Sequence, residues 1–160
     1  TGLANRRGFT TTSDAAIATC RREGLPTSVI VFDLDRFKAV NDGHGHAAGD
    51  AVLTGKAGVL RRHLRAGDIA GRLGGEEFAV LCPGLDSEGA AAIAERLLAA
   101  LQAEVPHPAG PGTMVTASAG IARVAGGDTT AALEAALAAG DRALYAAKET
   151  GRDRAVLAPA

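Results

Sequence analysis

Apolar and polar positions follow two different periods along the 160-residue chain. Apolar residues spaced three or four apart predict amphipathic helices, and short β-branched or apolar runs predict the strands between them. The predicted helices cover residues 5–23, 36–40, 47–64, the segment after Asp86, and 129–149. The predicted strands cover 27–32, both sides of Gly74-Gly75, 113–124 and 155–157.

This order of elements indicates an α/β fold of the α+β sandwich type. A split βαβ unit with antiparallel strands inserted is typical of ferredoxin-like sheets. We therefore expect a central, mainly antiparallel sheet with flanking helices and a β-hairpin at Gly74-Gly75. No repeat or linker divides the sequence, so residues 1–160 are expected to form a single domain.

Composition narrows the functional classes only a little. The formal net charge is −1 with 22% charged residues, which gives no reason to expect nucleic-acid or membrane contact. No apolar run reaches bilayer length, and the N-terminus lacks the charged-then-apolar pattern of a signal peptide. We expect Cys20 and Cys82 to be buried, reduced thiols in a cytoplasmic protein. The chain opens at Thr1 without methionine, so we expect a fragment of a longer, regulated protein.

The hairpin carries the first candidate chemistry. Paired glycines predict a tight turn with positive φ, and Glu76 and Glu77 follow directly. A solvated hairpin accounts for the glycines but has no need of two adjacent acids. A site that brings the backbone close to a phosphate and offers carboxylates to a metal would use both features.

A second pair of acids stands where the first strand ends. Alternation along an extended chain places Asp33 and Asp35 on one side, although Asp35 also suits a helix N-cap. A buried strand that ends in an unpaired acid is costly without a partner. Mg²⁺ takes one or two carboxylates together with substrate phosphates. Asp33 and Glu76 together would provide such a site.

Polar residues after this strand suit a nucleotide. Lys38 and Asn41 share a face, Lys38 as a point charge for phosphate. Asn41 and the acceptor Asp50 match the hydrogen-bonding groups of guanine, although Asn41-Asp42-Gly43 also suits a plain turn. His44 and His46 lack a third ligand nearby, which disfavours a transition-metal site.

The last helix carries a row of polar residues at spacings of four, three and four. The row consists of Asp141, Tyr145, Lys148 and Arg152. A solvated salt-bridge face is the common explanation for such a row. Phosphate binding by Lys148 and Arg152 is the more specific alternative.

Five segments, in this order and spacing, resemble the GGDEF domain of diguanylate cyclases, in its GGEEF variant. The resemblance spans essentially the whole chain. The segments are residues 1–7, Phe32-Asp33-Leu34-Asp35-Arg36-Phe37-Lys38-Ala39-Val40-Asn41-Asp42, residues 45–50, Gly74-Gly75-Glu76-Glu77-Phe78, and residues 143–148 with Gly151-Arg152.

The resemblance implies a nucleotidyl-cyclase-like fold and an enzyme that condenses two GTP molecules to cyclic di-GMP with release of two pyrophosphates. It implies Mg²⁺ as the cofactor, with Mn²⁺ as an alternative. In this family each domain holds one GTP, so a homodimer with facing sites is expected. An upstream regulatory domain would control that dimer.

The resemblance also implies a role for each matching residue. Asp33, Glu76 and the Leu34 carbonyl would bind metal, Glu76 would activate the 3′-hydroxyl, and Glu77 would support it. Lys38 matches the transition-state position. The substrate positions are Asn41, His46 and Asp50 on the guanine side, and the Arg36 and Phe37 backbone, Lys148 and Arg152 on the phosphate side.

Arg65 and Asp68 form an Arg-x-x-Asp pattern that, taken alone, is a common helix-end ion pair. At this offset from the hairpin it resembles the inhibitory site at which the family binds its product. Arginine can fork onto guanine O6 and N7, and aspartate can accept guanine N–H groups. Arg96 is expected as a secondary contact there. Arg72 receives no role.

Two alternatives to an active, GTP-dependent diguanylate cyclase stay open at this point. A catalytically silent domain could sense cyclic di-GMP through Arg65 and Asp68, or GTP through the active-site pocket. The intact Glu76 disfavours that alternative, because silent members of the family usually lose the motif. A cyclase that uses ATP is disfavoured by Asp50, an acceptor for guanine donors that adenine lacks.

Overall fold

A computed structural model describes all residues from Thr1 to Ala160. It contains five helices and five strands. Their bounds are α1 Arg6–Glu23, β1 Thr27–Leu34, α2 Phe37–His44, α3 His46–His63, β2 Ile69–Gly74, β3 Glu77–Pro83, α4 Ser87–Glu104, β4 Ala117–Arg123, α5 Thr129–Glu149 and β5 Ala155–Leu157. No helix combines the length and the apolar character that crossing a bilayer requires.

The five strands form one sheet in the order β2-β3-β1-β4-β5. β3 is antiparallel to both β1 and β2, and β1 is antiparallel to β4, whereas β4 and β5 are parallel. β1 and β2 therefore run in the same direction with β3 between them, which is a split βαβ unit. The predicted ferredoxin-like, mainly antiparallel sheet is confirmed.

Alternating residues of the central strands supply two separate apolar cores. Phe32 of β1 and Phe78 of β3 face α3 and α4, and both are fully buried. Val31 and Ala79, one position away on each strand, face α1 and α5. Because successive side chains point to opposite faces, Asp33 lies on the α1/α5 side, at the point where β1 leaves the core.

Polar caps fix where the long helices begin. The side chains of Asn5, Asp86 and Asp128 each accept a hydrogen bond from the backbone N–H three residues later, at 2.9 Å in every case. Such caps satisfy one of the donors that a helix leaves unpaired at its first turn. The predicted cap at Asp86 is therefore confirmed.

Three local predictions were wrong. α2 continues through the predicted turn and ends at Gly45, which has a φ of 85°. Neither Gly74 nor Gly75 has positive φ; instead the strand register shifts between Arg72 and Gly74, so a bulge accommodates the hairpin. β4 begins only at Ala117.

Candidate active site

The ends of β1 and the β2–β3 hairpin bring two carboxylates together. Asp33 pairs in register with Glu77, and Glu76 occupies the turn one residue before. Burial raises the pKa of Glu76, and the nearby charge of Asp33 raises it further. One oxygen of Asp33, Oδ1, is buried and accepts no hydrogen bond. Leu34, the other predicted metal-side residue, follows at the buried end of β1.

Lys148 of α5 lies at the same carboxylate pair. Its ammonium donates to Oδ2 of Asp33, and the ion pair is partly buried. The helix therefore places a phosphate-side candidate directly at the predicted metal ligand, rather than in a solvated salt-bridge row. The resulting cluster holds two carboxylates and one lysine, with Oδ1 of Asp33 left without a hydrogen bond.

The Glu77 carboxylate has further charged neighbours, on α1 and α5. Burial raises its pKa, and the next largest contribution comes from Asp141 of α5, whereas Arg6 of α1 acts in the opposite direction. Glu77 thus lies between α1 and α5, beside Asp33 rather than beside the Glu76 side chain. This placement suits a supporting acid that shapes the local charge around Asp33.

Asp35 serves the scaffold and not the metal-side cluster. Its carboxylate accepts hydrogen bonds from Thr116 Oγ1 at 2.8 Å, Ser118 Oγ at 2.7 Å and the Asp153 backbone N–H at 3.0 Å. The prediction that Asp35 caps α2 was wrong, because Arg36 occupies the N-cap position with no side-chain bond. Three fixed donors hold the Asp35 side chain away from the helix.

The guanine-side residues lie where α2 and α3 approach each other. Asn41 Oδ1 touches the backbone of Gly49 so closely that a Cβ there would lie only 1.9 Å away. The Asn41 side chain is therefore held beside the residue that precedes Asp50. Asp50 and His46 are exposed on α3, so their polar groups are accessible to a ligand.

The phosphate-side residues surround the start of α2 and the end of α5. The first backbone N–H groups of α2, at Phe37 and beyond, have no acceptor within the helix, and Lys38 is exposed there. Arg36 and Arg152 both adopt left-handed backbone conformations, with φ of 54° and 63°. A bend of this kind after α5 lets the Arg152 N–H bond the Ala147 carbonyl at 2.9 Å.

The sequence prediction missed Lys56. It is the only charged residue in the buried set. Its Nζ donates to the Glu76 backbone carbonyl at 3.1 Å and lies 4.2 Å from the centre of the Phe78 ring. Burial lowers its pKa to about 7, although Asp33 and Glu76 counteract that effect. The available signal was spacing: Lys56 follows Leu53 by three residues on the apolar stripe of α3.

Arg72 contacts the other carbonyl of the turn. Its Nε and Nη2 donate to the Gly75 carbonyl at 2.9 and 2.7 Å. Arg72 on β2 and Lys56 on α3 therefore hold the turn from two different elements of the fold. The carboxylate of Glu76 is thereby presented on a fixed backbone.

The Arg65–Asp68 pair forms the ion pair that its spacing predicts. Arg65 Nη2 donates to Asp68 Oδ1 at 2.7 Å and to the Pro83 carbonyl at 3.2 Å. The hydrogen bond to Asp68 raises the pKa of Arg65. The Asp68 side chain is fully buried, whereas 47% of the Arg65 side chain is exposed. Arg96 donates to the His63 carbonyl at 2.9 Å, at the end of α3.

His44 and His107 lie in a cavity apart from the guanine-side residues. A cavity of about 310 Å³ between α2 and the loop before β4 is lined by His44 and His107 among others, with ring centres 6.0 Å apart. Asn41 and Asp50 do not line it. No three His, Cys, Asp or Glu side chains converge on a common point anywhere in the chain.

Comparison with known proteins gives one consistent result. Residues 1–154 match the family described as diguanylate cyclase, GGDEF domain. The chain is 43% identical to the diguanylate cyclase DgcP of Pseudomonas aeruginosa over 154 residues, 96% of this chain and 22% of DgcP. It spans only 14% to 22% of the length of DgcP and two further relatives.

Solved structures agree with this match. The active GGEEF domain of a diguanylate cyclase from Vibrio cholerae has a TM-score of 0.88 at 29% identity, with 99% of each chain covered. The GGDEF domain of DgcB from Caulobacter crescentus, solved in complex with c-di-GMP, has a TM-score of 0.85 at 32% identity. That comparison covers 99% of this chain and 92% of the other.

Proposed function

The chain belongs to the GGDEF family of diguanylate cyclase domains, and we propose that it condenses two GTP molecules into cyclic di-GMP with release of two pyrophosphates. The observation that carries this proposal is the proximity of the Asp33 and Glu76 carboxylates, with Asp33 Oδ1 buried and without a hydrogen-bond partner. A buried acceptor of this kind costs free energy unless a cation or donor meets it.

Asp33 and Glu76 fit a divalent cation. Their hard carboxylate oxygens, with the Leu34 carbonyl as a third ligand, form the partial shell that Mg²⁺ or Mn²⁺ completes with substrate phosphates and water. A bound cation would polarise the α-phosphorus and neutralise the pyrophosphate that leaves. Burial raises the pKa of Glu76 and the charge of Asp33 raises it further; a cation held by both carboxylates would relieve their mutual repulsion.

The remaining site residues would orient one GTP. Asn41 and Asp50 recognise the guanine edge and His46 borders it, because an amide and a carboxylate together match its acceptors and donors. With a nucleotide bound, Lys148 would bind the triphosphate instead of Asp33, together with Arg152 and the backbone N–H groups of Arg36 and Phe37.

The reaction joins two such nucleotides. The 3′-oxygen of each GTP attacks the α-phosphorus of the other. Each attack forms one P–O bond and breaks one α–β anhydride bond, so two phosphodiester bonds form and two pyrophosphates leave. Glu76 would accept the proton of the 3′-hydroxyl, the role that its place in the family motif implies. Lys38 stabilises the charge of the transition state, and Glu77 supports the local field.

Each chain supplies one nucleotide, so the active form is a homodimer with facing sites. Alignment of the 3′-oxygen on the α-phosphorus is what such a dimer contributes. Because the relatives are far longer than this chain, we infer that an upstream regulatory domain of a longer protein controls the approach of the two sites.

The product would inhibit the enzyme at Arg65, Asp68 and Arg96. Nearly half of the Arg65 side chain is exposed although its carboxylate partner is buried. Its Nε and Nη2 bond Asp68 and the Pro83 carbonyl, which leaves the Nη1 N–H groups to bond guanine. Arg96, on α4, donates to the His63 carbonyl at the end of α3, two residues before Arg65. Cyclic di-GMP bound there would hold the two catalytic sites apart.

Turnover by a dimer held together with a fused coiled coil tests the proposal. We expect cyclic di-GMP from GTP and Mg²⁺, none from ATP, and loss of at least about 100-fold in the Glu76→Gln variant, since removal of one transition-state charge partner costs that much. Glu134→Gln, an exposed acid on α5, is the matched control and should keep full activity. A folded dimer that binds cyclic di-GMP but forms none would instead favour the silent sensor.

A further inference from the structure

Lys56 is buried in the apolar core, where a lysine side chain is unfavourable in free energy. Its side chain has no exposed surface, and its neighbours on α3 belong to the apolar core. The aliphatic stem could be replaced by that of methionine with little change in volume. The role of the terminal nitrogen must therefore lie in what it contacts, because burial of a polar or charged group is unfavourable without specific partners.

Those partners are few and lie at one place. The hydrogen bond goes to the backbone carbonyl of Glu76 at 3.1 Å, and the face of the Phe78 ring lies 4.2 Å away. Both residues flank the start of β3. Lys56 thus links α3, on one face of the sheet, to the turn that carries the proposed metal ligand.

The hydrogen bond to the Glu76 carbonyl fixes the orientation of the whole peptide group between Glu76 and Glu77. A trans peptide is planar, so the orientation of the Glu76 carbonyl also sets the N–H of Glu77. Arg72 already fixes the preceding peptide through the Gly75 carbonyl. With both peptides held, the direction in which the Glu76 side chain leaves the backbone, beside Asp33, is set.

We propose that Lys56 is a positioning residue that holds the Gly75–Glu76 turn through its bond to the Glu76 carbonyl, so that the Glu76 carboxylate stays aligned with Asp33. This inference rests on the proposed nucleotide site, because alignment matters only where the carboxylates act together. Lys56 itself has no exposed surface, so it acts through the turn and not by contact with a nucleotide. A misplacement of such a ligand by about 1 Å is enough to cost about 100-fold in rate.

The test measures the turn directly as well as the reaction. In Lys56→Met, amide hydrogen exchange at Glu77 and Phe78 of the ligand-free chain should accelerate by at least about fivefold, the loss that one hydrogen bond corresponds to. In the coiled-coil dimer, kcat should fall by about tenfold or more, while the KM for GTP changes less than about twofold because the guanine-side residues are intact.

Leu60→Met is the matched control, since Leu60 is a buried core residue of the same helix. It should leave both exchange at the turn and kcat within about twofold of the wild type, as volume-conserving core changes do. Equal effects of the two substitutions would overturn the proposal, because loosened packing alone would then explain them. Unchanged exchange at Glu77 in a folded Lys56→Met chain would overturn it as well.

Two further outcomes are decisive. If Lys56→Met does not fold, Lys56→Arg retains a donor and should keep exchange at Glu77 within about threefold of the wild type; a tenfold acceleration would contradict the proposal. If the wild-type dimer forms no cyclic di-GMP, the proposed function fails. The exchange measurement then still decides whether Lys56 holds the turn.

Discussion

Gly120→Ala tests how closely α5 must approach the sheet. A Cβ at Gly120, in the centre of β4, would lie 2.0 Å from the Gly140 carbonyl oxygen and 2.4 Å from the Leu144 backbone nitrogen. Real Cβ contacts stay above 3.0 Å, so the helix has to withdraw by about 1 Å. Main-chain atoms form the contact, and no side-chain rotation can relieve it.

The cost follows from that displacement. Overpacking of a core costs about 1–3 kcal/mol, and a contact with helix backbone belongs at the upper end, so we expect a loss of about 3 kcal/mol in the free energy of unfolding. For a chain of this size the melting temperature should fall by about 6–12 °C. Lys148, one turn beyond Leu144, would also move away from Asp33, and turnover should fall even in the fully folded fraction.

Urea and thermal unfolding, followed by circular dichroism, measure this loss. Gly126→Ala is the control, because no atom lies within 4 Å of its added Cβ and its φ is not positive; its stability should stay within about 0.5 kcal/mol of the wild type. If Gly120→Ala is also within that range, the close contact between β4 and α5 does not exist and the placement of Lys148 loses its support.

Two further predictions concern the region around Cys82 and Arg65. Burial raises the pKa of Cys82 to about 12 from 9.0, with the nearby Asp68 acting in the same direction and Arg65 against it; the unfolded state therefore loses its proton first as pH rises. Relative to Cys82→Ala, the wild type should lose about 2 kcal/mol between pH 8 and pH 10.5, measured by urea unfolding, and a constant difference would contradict this. Arg65→Ala should raise the inhibitory concentration of cyclic di-GMP by at least about tenfold and should destabilise the fold by about 1–3 kcal/mol, because Asp68 stays buried without its partner. Unchanged inhibition would remove the inhibitory site.

Periodicity was sufficient to predict the long helices, the hairpin and the sheet class, because burial of one face is a local property of the sequence. It could not predict which polar groups would meet. Asp35 is a residue type that often caps helices, but its hydrogen-bond donors are Thr116 and Ser118, which lie more than 80 residues away in the sequence. The ammonium of Lys148 reaches Asp33 across 115 residues, a contact that no local spacing encodes.

Lys56 shows the opposite case, in which a local signal existed and was not used. A lysine on the apolar stripe of an amphipathic helix either lies outside the buried face or is buried together with a polar partner. The partner is a backbone carbonyl in a turn 20 residues away. Only the packing of α3 against the hairpin identifies it.

A crystal structure of the chain with Mg²⁺ and a non-hydrolysable GTP analogue tests the central claim most directly. It should place the metal between Asp33 Oδ1 and the Glu76 carboxylate, the guanine against Asn41 and Asp50, and Lys148 on phosphate instead of on Asp33. A metal bound away from both carboxylates, or a nucleotide found only at Arg65 and Asp68, would contradict the assignment of this hairpin to an active site.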